Sequence, residues 1–215
     1  MAHRKQQTGK PVHYFQMSGS GTFSDLPHSM KMVDGRLYSD KDDIYQIEKT
    51  MEETTFPHPV RQTNLTTVDT GDELGVHTYI VSAPTILGLG TGSFNKFSMQ
   101  LPWNIKAVLK SQQAFVIGHG AEIWSYVNIL DLVDLFTLML ERICRGDELP
   151  HGKEGFYFAE SGEVSHLNMV QSMARKMKAQ EVLEKDDVKN ASVEEAAGYL
   201  TKGHLLFAEF AWGSK

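Results

Sequence analysis

The sequence feature that most constrains the fold is the stretch at residues 79–92, YIVSAPTILGLGTG. It begins as an apolar run rich in β-branched residues, reaches Pro84, and then becomes a loop with three glycines. A continuous apolar run that ends at Pro and Gly is typical of a strand buried on both faces of a parallel sheet. Because ligands bind beyond the carboxyl ends of such strands, we expect a cleft at residues 82–92.

Composition narrows the classes of function. The chain has 215 residues, 41% of them hydrophobic, and a net charge of -6. The acidic balance and the lack of a basic stripe argue against nucleic acid as a partner. No apolar run approaches the roughly 20 residues of a membrane span, and no signal-peptide core is present, so we expect no membrane association and a cytoplasmic location.

The chain contains one cysteine and nine histidines. A single cysteine, Cys144, cannot form a disulfide framework, and its place on the apolar face of a predicted helix predicts a buried side chain. The histidines show no metal-ligand spacing, which predicts no metal site.

Predicted strands alternate with predicted helices, which indicates an α/β fold. Asp131 is expected to cap the clearest helix of the chain, and a short exposed helix is expected at residues 43–53. A longer helix at residues 60–74 is expected to end at Gly75. Trp124 and Tyr126 alternate on a predicted strand, where they either line a pocket or pack in the core. The strands are predicted at residues 11–17, 76–83, 114–117, 123–129 and 155–159.

Four loop motifs follow one another in a recognisable order: SGSG at residues 18–21, the proline-then-glycine loop at 84–92, VNILD at 127–131 and ESGE at 160–163. Over about residues 8–210, this order resembles the back half of an extended short-chain dehydrogenase/reductase of the NAD-dependent epimerase/dehydratase family. It looks most similar to divergent fungal members described as nucleoside-diphosphate-sugar epimerase-like.

The resemblance implies a partial Rossmann-like parallel sheet with flanking helices, followed by a small substrate-side α/β region. Residues 1–95 would be the C-terminal part of an NAD(P)-binding domain, and residues 96–215 the substrate-side region, interleaved with the sheet at about 114–145. It also implies NAD or NADP as cofactor, and a nucleotide-sugar or a small metabolite as substrate.

The glycine fingerprint of the family's cofactor-binding front half is missing. The nearest candidate, residues 88–92, has no acidic residue about 20 positions later, which favours a substrate-side loop. A sheet cut at this point exposes the edge of the strand at residues 11–17. We therefore expect either an incomplete gene product or a covering subunit, which includes a second copy of the chain.

Family enzymes use a Tyr-x-x-x-Lys pair with a nearby hydroxyl to move a proton during hydride transfer. The resemblance places the hydroxyl at Ser20, although a turn serine would look the same. Tyr45 and Lys49 form a literal match to the pair. The helix that leads into the next strand instead aligns the pair with Pro57 and Arg61, so both registers stay open.

By the same resemblance, Pro84, Thr85 and Ile86 would border the nicotinamide, unless they form a plain strand-end turn. Three functions remain open: an epimerase/dehydratase- or reductase-like enzyme, incomplete or weakly active as this chain; a non-catalytic binding or regulatory module of the same fold; or an inactive gene fragment.

Overall fold

A computed structural model of the chain describes residues 2–24 and 36–200. The helices are α1 (Ala2–Thr8), α2 (Ile44–Thr54), α3 (Pro59–Leu74), α4 (Gln100–Ser111), α5 (Ile129–Arg145), α6 (His166–Ala179) and α7 (Val193–Leu200). The strands are β1 (His13–Gly19), β2 (His77–Ala83), β3 (Thr85–Leu87), β4 (Ala114–Ile117), β5 (Ile123–Asn128), β6 (Phe156–Phe158), β7 (Gly162–Ser165) and β8 (Val188–Ala191). Short 3₁₀ turns occupy Ser20–Phe23 and Gly152–Glu154. None of the described helices is long and apolar enough to cross a membrane.

The chain has an α/β fold built from parallel strands and flanking helices, consistent with a partial Rossmann-like sheet, as the sequence predicts. It divides into two compact units. Among the described residues, the first unit covers 2–23, 36–84 and 131–160, and the second covers 24, 85–130 and 161–200. The functional division at residue 95 stays a prediction.

The first unit contains the sheet β1-β2-β6, in which all neighbours are parallel. Strand β2 is the central strand and is almost entirely buried, as its apolar sequence predicts. Helices pack on both faces of this sheet. On one face, Val68 of α3 shares a buried core with Ile80. On the other, the rings of Phe136 and Phe15 lie 5.9 Å apart.

Local sequence explains the limits of α2 and α3. Pro59 occupies the first turn of α3, where its missing N–H has no intrahelical partner to lose, and Gly75 ends the helix in the left-handed conformation at φ 61°. Asp43 caps α2 by accepting a hydrogen bond from the backbone N–H of Gln46. The expectation that α2 is an exposed helix was wrong, because its apolar residues fall on one face and are buried in the core.

The second unit contains two small sheets. Strand β3 pairs with β5 in parallel, β5 pairs with β7 in antiparallel orientation, and β4 pairs with β8 in parallel. The core lies between β4 and helices α4, α6 and α7, and includes Ala107, Val108, Phe115, Val116, Ile117, Val170, Ala174 and Ala196. Trp124 is buried and stacks on His166 at 4.8 Å, so its side chain packs in the interior.

Two expectations about α5 were wrong. The helix begins at Ile129, so Asp131 lies in the first turn, and the Asn128 side chain accepts the hydrogen bond from the N–H of Leu130 at 2.9 Å. Cys144 is exposed. Its side chain points about 140° around the helix from the buried Met139, because five residues advance an α-helix by that angle.

Candidate functional site

A buried polar cluster, made of Glu48, Glu52, Arg61 and Asn64, lies between α2 and α3 in the first unit. Glu48, Arg61 and Asn64 are 0% exposed. Arg61 and Asn64 share the inward face of α3 with Val68, since residues three and four apart on a helix are neighbours. Burying charged groups is costly unless they are paired, so the partners of these side chains decide what the cluster does.

Asn64 joins α2 to strand β1. Its Nδ2 donates to both carboxyl oxygens of Glu48, at 2.9 and 3.1 Å. Its Oδ1 accepts hydrogen bonds from Gln16 Nε2 and Ser18 Oγ, each at 2.8 Å. Every polar atom of the Asn64 side chain is therefore used, and the surroundings fix which end of the amide faces the carboxyl group.

Arg61 anchors the turn that follows β1. Its Nη2 donates to the backbone carbonyl of Thr22 at 2.7 Å. Its Nη1 donates to the backbone carbonyl of Phe56 at 3.1 Å and lies 3.3 Å from Glu52 Oε2. The guanidinium thus holds the Ser20–Phe23 turn at the carboxyl end of β1, which is the end of a parallel sheet where ligands bind.

The electrostatics of the cluster centre on Glu48. Burial raises the pKa of Glu48 to about 7, while the hydrogen bonds from Asn64 and the Arg61 charge act in the opposite direction. Burial also lowers the pKa of Arg61, against the attraction of Glu52 and Glu48. A buried carboxyl group that titrates near neutral pH can hold or release a proton under ordinary conditions.

Tyr45 and Lys49 lie one turn apart on α2, and Tyr45 makes its hydrogen bond to a residue of α3. Tyr45 is buried, and its hydroxyl donates to the Asp69 carboxylate at 2.6 Å. This hydrogen bond, followed by burial and by the charges of Asp69 and a second acid, raises the pKa of Tyr45 to about 12. Lys49 is exposed, and no hydrogen bond joins it to Tyr45 in the part of the chain that the structure describes. Ser20 is half-buried at the start of its 3₁₀ turn.

The alternative register falls on residues at the start of α3. Pro57 precedes the helix and Arg61 lies in its first turn. In this register Arg61 would replace the lysine, but its guanidinium is bound to two backbone carbonyls and lies beside Glu52. Pro57 would replace the tyrosine and has no hydroxyl. The catalytic roles of Ser20, Tyr45 and Lys49 stay predictions.

Pro84, Thr85 and Ile86 follow the end of β2. Pro84 is half-buried, and Thr85 and Ile86 form β3, where they pair with Tyr126 and Val127 of β5. These three residues belong to different units, with Pro84 in the first and the other two in the second. Their contact with a cofactor stays a prediction.

Sequence analysis missed Glu48 and Asn64 as candidate functional residues. A weak signal exists for Glu48, which is four residues after Ile44 and three before Met51, both buried. An acid on the apolar face of an amphipathic helix indicates either a buried partner or a functional carboxyl group.

No protein-family model matches the chain, and no curated protein matches it. Several solved structures are similar. A UDP-glucuronic acid 4-epimerase from Bacillus cereus, in complex with UDP-glucuronic acid and NAD, aligns with a TM-score of 0.52 and 14% identity over 98% of this chain. A dTDP-glucose 4,6-dehydratase double mutant from Streptomyces venezuelae, with NAD bound, gives 0.55 and 11% over 89%. A UDP-glucose 4-epimerase from Thermotoga maritima, with UDP-glucose, gives 0.51 and 14% over 89%.

The likeness is one of fold. The chain spans 65%, 50% and 54% of the lengths of the three proteins, respectively.

Proposed function

We propose that this chain belongs to an NAD(P)-binding protein of the epimerase/dehydratase or reductase type that acts on a nucleotide-sugar or a small metabolite. The observation that carries the proposal is the fold shared with three enzymes whose structures hold NAD or a nucleotide-sugar. The alignment extends over 89–98% of this chain, so it includes both of its units.

The residues at the carboxyl end of β2 fit one end of such a cofactor. Ser82 is 1% exposed, and its Oγ has no hydrogen-bond partner within the described ranges. A buried hydroxyl without a partner is costly, and a polar ligand group would satisfy it. In this proposal Ser82 and Pro84, both of the first unit, contact the nicotinamide end. When bound, the cofactor supplies hydride transfer.

The residues at the carboxyl end of β2 do not provide a binding site for the cofactor pyrophosphate. The described residues contain no glycine fingerprint between a strand and a helix N-terminus. A chain that binds only the nicotinamide end of a dinucleotide has fewer contacts than a complete Rossmann domain. We therefore expect weak affinity for the isolated chain, in the millimolar range (~4 kcal/mol of binding free energy).

A cofactor titration tests the proposal. NADH and NADPH are titrated separately into the full chain, with and without UDP-glucose or dTDP-glucose, and binding is followed by energy transfer from tryptophan to the reduced nicotinamide. We expect saturable transfer, weakened in Ser82→Val and unchanged in the control Ser172→Ala, whose residue is exposed on α6. If no saturable signal appears with either cofactor at millimolar concentration, the proposal is rejected.

A second candidate is a non-catalytic binding module of the same fold. The hydrogen bond from Tyr45 to Asp69 favours it, because a phenol with a raised pKa is a poor proton carrier at neutral pH. Tyr45→Phe should then leave any turnover of UDP-glucose or dTDP-glucose unchanged. A loss of about 100-fold or more, the usual contribution of a general acid or base, would support the enzyme instead.

A further inference from the structure

The amino-terminal end of the first unit's sheet, opposite the proposed cofactor crevice, carries a cluster of aromatic rings that the proposed function does not use. His13 and His77 are the first residues of β1 and β2 and are paired in the sheet register. The ring of His151 stacks on His77, with centroids 3.8 Å apart and planes 11° from parallel. His13 meets His77 edge-on at 5.0 Å, and its Nδ1 lies 2.9 Å from the Tyr79 hydroxyl.

These rings line a cleft of about 600 Å³. Part of its wall is residues 147–151, called here the 147–151 segment, which connects α5 to the turn before β6. Glycines with positive φ bracket the segment: Gly146 at 85° and Gly152 at 63°. Glycine adopts this region without strain, so these two positions allow the segment to change direction at both ends.

We propose that the His77–His151 stack is an acid-sensitive latch, which holds the 147–151 segment against the sheet while both rings are neutral and releases it when both become protonated. The physical reason is the short ring separation. Two imidazolium ions at this distance repel each other, whereas two neutral rings attract through stacking and shed apolar surface from water.

The groups around the stack favour release over retention. Burial lowers the pKa of His77, followed by the charges of His151, His13 and Lys5, while Glu148 opposes them. Burial and the His151 charge also lower the pKa of His13. The remaining charged groups that line the cleft are Asp147, which is paired with Arg142 at 3.5 Å, and Glu154. The nearby carboxylates therefore weaken the repulsion between the charged rings, but the pKa of His77 is still lowered.

The sign of the effect follows from these shifts. Because the folded protein lowers the pKa of His77 and His13, the unfolded or opened form binds protons at these two rings more readily. The latch is fully closed above the ordinary histidine pKa of about 6.5 and weakens as pH falls below it. The backbone contact of Tyr157, whose hydroxyl donates to the Pro150 carbonyl at 2.7 Å, does not titrate in this range and limits the opening to a local movement.

Hydrogen exchange tests the latch. Exchange of the four backbone amides of the 147–151 segment, which exclude Pro150, is measured at about pH 7.5 and about pH 5.5 and corrected for the intrinsic pH dependence. We expect exchange at the lower pH to rise by at least about fivefold, the factor that two unit charges about 4 Å apart give even in water. Amides of β4, in the second unit, serve as an internal reference.

Two variants separate the latch from other acid effects. His151→Phe keeps a stacking ring without a charge. The part of the rise that comes from repulsion between the two rings should therefore be lost, and the rise should shrink. His119→Phe makes the same change at an exposed histidine of the second unit and should leave the rise intact. A wild-type segment whose corrected exchange is independent of pH, or a rise of undiminished size in His151→Phe, would overturn the proposal.

A direct measurement covers the case in which His151→Phe fails to fold. Ring titrations of the wild-type histidines are followed by NMR. A measured pKa of His77 below the ordinary histidine value of about 6.5 supports the latch. A value equal to or above the ordinary one overturns it, because protonation would then not oppose the stacked state.

Discussion

The Tyr45 hydroxyl donates a hydrogen bond of 2.6 Å to the carboxylate of Asp69, linking the first turn of α2 to the exposed side of α3. A negative charge at the acceptor stabilises the neutral phenol and opposes its ionisation. The bond therefore ties together two helices, and it holds Tyr45 in the protonated form.

Removing that hydroxyl should affect stability. Tyr45→Phe is expected to lower the free energy of unfolding by about 1 kcal/mol, the usual net value of one hydrogen bond, as measured by urea denaturation. Asp69→Asn should bring the pKa of Tyr45 back towards its ordinary value in a spectrophotometric titration. Lys49→Ala, which changes an exposed side chain on the same helix, should leave both quantities unchanged.

Ionisation of Glu48 should lower the free energy of unfolding as the pH rises. Its pKa of about 7 exceeds the ordinary value of 4.5, so the folded state keeps a proton that the unfolded state loses. Stability is therefore greatest below about pH 4.5 for this group and decreases up to about pH 7, by roughly 3 kcal/mol in total. Thermal unfolding of wild type and Glu48→Gln across this range should show that the variant lacks this decline.

Glu52 is the matched control for Glu48, because its pKa is shifted in the opposite direction. Burial acts to raise the pKa of Glu52, but hydrogen bonds from the His58 backbone and Gln62 and the charge and hydrogen bond of Arg61 outweigh it and lower the pKa. Glu52→Gln should therefore remove a stabilisation that grows as pH rises. The same pH slope in both variants would contradict the assigned roles.

Arg61 should be intolerant of substitution. Arg61→Met leaves Glu48 and Glu52 without their positive partner and removes the hydrogen bonds that Arg61 donates to the backbone carbonyls of Thr22 and Phe56. We expect a loss of about 3–5 kcal/mol in the free energy of unfolding, as for other broken buried ion pairs. The loss should be larger at pH 8 than at pH 5, because Glu48 is mostly ionised only at the higher pH. Denaturant titration at both pH values checks this, and an equal loss would argue against the coupling.

Gly71 is required by close packing of α3 on the sheet. A Cβ at this position would lie 2.4 Å from Thr78 Cγ2 and 3.2 Å from the carbonyl oxygen of Val76. Gly71→Ala should therefore be destabilising by about 1–3 kcal/mol despite the better helix propensity of alanine. Gly198→Ala in α7, where nothing lies within 4 Å, should be neutral or stabilising by up to about 1 kcal/mol, which thermal unfolding would show.

Local signals in the sequence were sufficient for the main elements of the first unit. The apolar run of β2 predicts its burial, and Gly75 predicts the end of α3, because both depend on neighbouring residues. Cys144 and Asp131 were assigned wrongly, since one depends on which side of α5 faces the sheet and the other on where the first turn starts.

The candidate site depends on contacts between residues far apart in the chain. Glu48 can be buried because Asn64, sixteen residues later, donates two hydrogen bonds to its carboxyl group, and Asn64 is in turn positioned by residues of β1. Tyr45 finds Asp69 twenty-four residues away. A sequence motif pairs Tyr45 with Lys49 because they are four residues apart. It contains no information about partners that are distant in the chain, such as Asp69.

The full use of Asn64 has a consequence for how this protein can change over time or by design. An apolar replacement of Glu48 would leave the Asn64 amide hydrogens without an acceptor. Replacing Asn64 as well would leave the Gln16 amide and the Ser18 hydroxyl without theirs. The hydrogen bonds of Asn64 thus couple helix α2 to strand β1. Acceptable substitutions at these four positions should therefore arise together rather than singly.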